Sequence, residues 1–126
     1  MSDIRVLVVD DQLIYRSALA SLLEVVGGYT VVGEADSGEQ AVERARALEL
    51  DLVLMDLRLP GMDGWAATQE IRSQGNAPEV VVISTDVDAL SAAPDSGALT
   101  AVAKADLDPE WLAGLRSRLR PQHPPR

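Results

Sequence analysis

Five short apolar runs constrain the fold of this chain more than any other feature. They are IRVLVV (4–9), TVVGE (30–34), LVLM (52–55), VVVIS (80–84) and LTAVA (99–103). Three of them are nearly continuous in Val, Leu and Ile, without polar alternation. A strand of that kind is buried on both faces, which is the signature of a parallel sheet.

Helical patterns fill the intervals. Tyr15, Leu19, Leu22, Leu23 and Val26 fall on one helical face. The segment SGEQAVERARAL (37–48) opens with Ser37 and Gln40 at capping-box spacing, then sets Ala41, Ala45 and Leu48 on one stripe. GWAATQEIRS (64–73) has a weaker stripe of Trp65, Thr68 and Ile71. DPEWLAGLRSRL (108–119) offers Asp108 as N-cap and Pro109 at the first helical position. Its apolar side is Trp111, Leu112, Leu115 and Leu119, with Arg116, Arg118 and Arg120 near the end that favours cations. The interval TDVDALSAAPDSGA (85–98) is short, polar and holds Pro94, so a short or broken helix is expected there, near 87–93. The pattern is (βα)5: an α/β chain with a doubly wound parallel sheet of five strands and right-handed crossovers.

One domain is expected over residues 1–119. PQHPPR (121–126), with three prolines in six residues, reads with residue 120 as a tail or the start of a linker. Hydrophobic residues make up 47% of the 126 and charged residues 25%, as in ordinary soluble domains. The aromatic side chains are Tyr15, Tyr29, Trp65 and Trp111, with no Phe, so the core must be aliphatic. The net charge of −9 repels phosphate backbones and argues against direct nucleic-acid binding by this domain. Without cysteine there is no disulfide framework, thiolate zinc site or thiol nucleophile. No apolar run approaches the length of a membrane span, and MSDIRVLVVDD does not read as a signal peptide, so a cytoplasmic location is expected.

In open α/β sheets of this kind, ligands bind beyond the carboxyl ends of the strands. Asp10 and Asp11 follow the first run, Asp56 the third, Ser84 and Thr85 end the fourth, and Lys104 follows the fifth. If the first and third strands are neighbours, three carboxylates converge. At roughly 5 Å and an effective dielectric near 20, each pair repels by about 3 kcal/mol before screening. Such a cluster must hold a proton or a cation, and all-oxygen ligands favour Mg²⁺ over zinc or copper. A lysine and a hydroxyl at the rim would complete a site for a phosphoryl group. Each residue also has a plainer reading. Asp10 or Asp11 would serve as a helix cap, Asp56 as a loop acid, Lys104 as a solvated rim residue and Ser84 as a turn residue. Their concentration at one sheet edge is what makes the set specific.

VLVVDDQ (6–12), DLVLMDLRLPGMDG (51–64), the serine after VVVI and the lysine after the fifth run resemble the receiver domain of bacterial two-component response regulators. The resemblance covers roughly residues 3 to 119. VVGEADSGEQAVE (31–43), and a lysine with no proline after it, resemble the NarL/FixJ (LuxR-type) group within that family. The resemblance implies a flavodoxin-like, CheY-like fold with strand order 2-1-3-4-5. It implies Asp56 as the phosphoacceptor for a sensor histidine kinase. Asp11, Asp56 and the backbone carbonyl of Arg58 would ligate Mg²⁺, with Asp10 nearby. Lys104 and Ser84 would contact the phosphoryl group. It further implies a regulatory domain that catalyses its own phosphorylation and dephosphorylation rather than a metabolic enzyme. In the resembled group, output is transcription through a C-terminal DNA-binding domain, which these residues do not include, and homodimerisation is common.

Three positions depart from the family pattern. Ala101 stands where an aromatic residue often precedes the lysine by three. The stretch between Ser84 and Lys104 is short and holds Pro94. Thr85, rather than a smaller residue, follows Ser84 and is expected to narrow access to the phosphoryl group. A receiver-like module that binds partners without phosphate is therefore an alternative. An unrelated doubly wound enzyme fits less well. A haloacid-dehalogenase-type phosphatase would carry a second acid where Arg58 stands, and a dinucleotide fold would carry a Gly-rich turn where DDQLIY stands. His123 and the arginines from 116 onward read as helix end and linker rather than as ligands.

Overall fold

The computed structural model describes residues 3–86, 88, 91 and 93–119. Five strands form one parallel sheet: β1 (Ile4–Val9), β2 (Tyr29–Ala35), β3 (Leu52–Asp56), β4 (Glu79–Ser84) and β5 (Thr100–Ala103). Their spatial order is β2-β1-β3-β4-β5, as the resemblance implied. Chain order reverses at β1, so β1 and β3 lie side by side at the switch point where such folds open a crevice. β3 is central, and all five of its residues are buried.

Helices cover both faces: α1 (Leu13–Val26), α2 (Gly38–Ala47), α3 (Gly64–Arg72), α4 (Ala93–Ser96) and α5 (Pro109–Arg118). Successive side chains of a strand point to opposite faces. Val6 and Val8 therefore join Leu52, Leu54, Val81 and Ile83 under α1 and α5, where Leu19, Leu23, Leu112 and Leu115 close the layer. Leu7 and Val9 join Val53, Met55, Val80 and Val82 under α2 and α3, against Ala41, Val42, Ala67 and Ile71. Both layers are aliphatic at their centres. Tyr29 is the aromatic buried in the first, and its hydroxyl donates to the Leu112 carbonyl at 2.6 Å.

Local signals set the helix starts. Ser37 Oγ accepts the Gln40 amide at 3.1 Å, and the Gln40 side chain accepts the Asp36 amide at 2.8 Å. Asp108 accepts the Trp111 amide at 2.8 Å, with Pro109 opening α5. Asp63 caps α3 through the Ala66 amide at 2.9 Å. The α1 start differs from expectation. Gln12 is the N-cap and its side chain makes no cap bond; Asp10 Oδ1 instead accepts the Gln12 amide at 2.8 Å. Asp10 is thus a turn acceptor two residues before the N-cap rather than the cap itself.

The expected helix over 87–93 falls mostly outside the described residues. The described turn is Ala93–Ser96. Pro94 lies within that described turn. The expected tail over 120–126, including Arg120 and His123, lies outside the described residues. Among the described residues no helix is long and apolar enough to cross a membrane.

Candidate phosphoryl and metal site

Register brings the acids together. Val9 pairs with Met55, so the residues that follow, Asp10 and Asp56, come abreast at the end of the sheet. Carboxylate oxygens of Asp10, Asp11 and Asp56 all lie within 4.8 Å of one another. Asp10 is 3% exposed and Asp56 6%, whereas Asp11 faces solvent. Lys104 reaches the same point from the end of β5. Its Nζ is 3.4 Å from Asp10 Oδ2 and 3.9 Å from Asp56 Oδ1.

Three carboxylates against one ammonium leave an excess of negative charge in a half-dry site. Asp56 bears the consequence: its pKa is pushed up from 3.8 to about 6. Burial is the largest cause, followed by the charge of Asp10. Lys104 and the backbone amide of Arg58 oppose the rise, and Asp11 adds to it. A divalent cation fits this donor set, because oxygen-only, partly exposed carboxylates match the preference of a hard ion. An open depression of ≈ 580 Å³ adjoins the cluster, lined by Asp11, Leu57, Arg58, Leu59, Pro60, Asp63 and Trp65.

The loops that hold the site are tied to the sheet. The Leu57 amide donates to the Ile83 carbonyl at 2.9 Å, and the Gly64 amide donates to the Leu57 carbonyl at 2.9 Å. A Cβ on Gly64 would lie 2.6 Å from the Asp56 carbonyl oxygen and 2.8 Å from Leu57 Cα. Only glycine lets α3 start this close to the strand that carries Asp56. Ser84 ends β4, fully buried, one residue beyond the partner of Asp56. Its hydroxyl accepts the Asp86 amide at 2.9 Å.

Two features escape a reading of the sequence. Arg58 and Asp86 form an ion pair at 2.7 Å that joins the loops after β3 and β4. Thr85, between Ser84 and Asp86, is exposed. The second feature is Tyr15. Helical periodicity assigns it to the core face with Leu19 and Leu23, yet its ring lies under Lys104, with Nζ 4.0 Å from the centroid. Burial, and then the charges of Asp10 and Asp56, push its phenol up to about 12, so the ring stays neutral. No single-residue signal distinguishes a core tyrosine from one turned toward a lysine 89 positions away.

Known proteins share this fold. The family model of the response regulator receiver domain matches residues 6–113. The transcriptional regulatory protein LiaR of Bacillus subtilis (strain 168) is 35% identical over 116 residues, which cover 90% of this chain and 55% of LiaR. This chain thus spans about half the length of that curated relative, and 38% to 40% of some others. The signal receiver domain of the response regulator NarL from Mycobacterium tuberculosis superposes with a TM-score of 0.84 at 31% identity, covering 94% of this chain and 96% of that one. The receiver domain of sensor histidine kinase PA1611 from Pseudomonas aeruginosa PAO1 superposes with a TM-score of 0.77 at 28% identity, covering 93% and 97%. It is described with a magnesium ion coordinated in its active-site cleft. With its strand order, its acid cluster and its match over residues 6–113, the chain belongs to the response regulator receiver domain family of two-component systems, and NarL- and LuxR-type receivers are among its relatives.

Proposed function

We propose that this domain accepts a phosphoryl group on Asp56 from the phosphohistidine of a sensor histidine kinase. The observation that carries this reading is the buried Asp56 carboxylate, clustered with Asp10 and Asp11 and faced by Lys104. An Asp56 oxygen attacks phosphorus as the bond from phosphorus to the imidazole nitrogen breaks. The products are an aspartyl phosphate and a neutral histidine. Lys104 lies where its charge neutralises phosphoryl oxygens, as transfer through a loose transition state requires. Asp11 and Asp56, with the Arg58 carbonyl and Asp10 beside them, would hold Mg²⁺. When bound, Mg²⁺ supplies positive charge that offsets the carboxylates and the incoming phosphoryl oxygens.

Ser84 reads the result. Its hydroxyl, engaged by the Asp86 amide in this structure, is to turn toward the phosphoryl group and draw the loop after β4 inward. The ring that the family often carries on β5 is absent at Ala101, so this loop transmits the change to partner contacts. Control of transcription through a DNA-binding domain follows from the character of the relatives, and output through a homodimer fits the same reading. Receivers of this kind are regulatory domains, and the phosphorylation and hydrolysis proposed here are steps of the switch.

Intact-mass analysis after incubation with phosphoramidate, with and without Mg²⁺, tests the reading. The expected result is a single phosphoryl adduct that needs Mg²⁺ and is missing in Asp56→Asn. An unmodified wild-type mass, beside a control receiver that labels, would reject phosphoacceptance. Partner binding would then have to be independent of phosphate.

A further inference from the structure

Lys104 is the only lysine in the chain. Its ammonium is held by groups from three elements: Asp10 after β1, Asp56 at the end of β3 and the Tyr15 ring from α1. A lysine stem has many rotamers, and two carboxylates at 3.4 and 3.9 Å do not define where the charge sits between them. A ring face 4.0 Å from the same ammonium adds a third point that does, because the π-system attracts the cation along its normal. We propose that Tyr15 is a positioning residue that fixes Lys104 against Asp56 and thereby sets the rate at which Asp56 is phosphorylated. The inference rests on the phosphoacceptor reading of Asp56.

The remaining observations point the same way. Tyr15 is not spent on packing. The α1 residues buried in the core are Leu19 and Leu23, and Tyr15 is only partly covered. The other tyrosine, Tyr29, is buried and anchored through its hydroxyl. β5 offers Lys104 no aromatic neighbour, since its residues are Thr100, Ala101, Val102 and Ala103. The ring that contacts the lysine therefore comes from the opposite side of the switch point.

Two variants separate the ring face from the hydroxyl and from bulk. Tyr15→Phe keeps the face; Tyr15→Leu keeps an apolar side chain without it. Because the chain has one lysine, its Cε–H signals after lysine-selective ¹³C labelling belong to Lys104. Ring current should shift them upfield in wild type and Tyr15→Phe, with the shift lost in Tyr15→Leu. Phosphoramidate labelling of Asp56 should fall about 3- to 30-fold in Tyr15→Leu and hold near wild type in Tyr15→Phe, at an unchanged Mg²⁺ midpoint. Wild-type labelling with no upfield Lys104 signal would overturn this inference alone. So would a Tyr15→Leu variant that labels normally, or a Tyr15→Phe variant that loses as much as Tyr15→Leu. A wild-type protein that does not label overturns the phosphoacceptor reading and the rate role together, whatever the lysine signal shows.

Discussion

At Asp56, one side chain carries both the chemistry and a cost to the fold. Burial and the neighbouring Asp10 raise its pKa from 3.8 to about 6. The folded state therefore holds this proton more tightly than the unfolded state. Stability from this group is fully present below about pH 4 and is lost as pH rises through about 6. A shift of that size corresponds to about 3 kcal/mol at neutral pH without a cation. Asp56→Asn, which keeps the shape and removes the charge, should gain stability over wild type in metal-free buffer at pH 7.5. The gain should shrink toward zero at pH 4. Urea unfolding of both proteins across that range measures it, and a difference that does not change with pH would refute the assignment of strain to the Asp56 charge.

The elements act through close approach. α3 begins where a Cβ on Gly64 would press into the Asp56 and Leu57 backbone. Gly64→Ala should destabilise the domain by about 1–3 kcal/mol through overpacking and slow Asp56 labelling by displacing its loop. Gly114 provides the contrast inside α5. Nothing lies within 4 Å of a Cβ built there, and the residue is exposed. Gly114→Ala should stabilise by about 0.5–1 kcal/mol, since alanine loses less backbone entropy in a helix. Parallel denaturant titrations distinguish the two, and equal effects would mean that the packing at α3 is looser than its geometry indicates. The caps belong to this scale too. Ser37, Asp63 and Asp108 each accept an amide that would otherwise lack a partner in the first turn.

For the whole molecule the decisive quantity is charge. The chain carries −9 overall, and three of its acids share one sheet edge. A cation that binds the folded state and not the unfolded one should raise stability by about 2.7 kcal/mol at a hundredfold excess over its dissociation constant. Thermal unfolding at pH 7.5 should therefore shift upward with Mg²⁺ and hardly at all in Asp11→Asn. An equal shift in both proteins would mean that the ion acts by general screening rather than at the acid cluster. The same excess of acid explains why Lys104 sits between Asp10 and Asp56, drawn in from the end of the last strand.

By itself, the sequence determined the elements and the edge where chemistry would lie. Continuous Val/Leu/Ile runs suit strands buried on both faces of a parallel sheet, and the caps at Ser37 and Asp108 act within four residues, so both are local facts. The convergence of Asp10, Asp11 and Asp56 followed once β1 and β3 were neighbours, because register carries strand ends together. The tertiary structure alone decided what depends on side-chain direction between distant segments. Tyr15 occupies a core position by period yet turns to Lys104, because at the first turn of α1 the nearest partner is the charged end of the sheet rather than its apolar middle. Arg58 and Asp86 pair because two loops meet above adjacent strands. Periodicity records which face of an element is apolar; it holds no record of what stands opposite that face, and that is a property of the packed molecule.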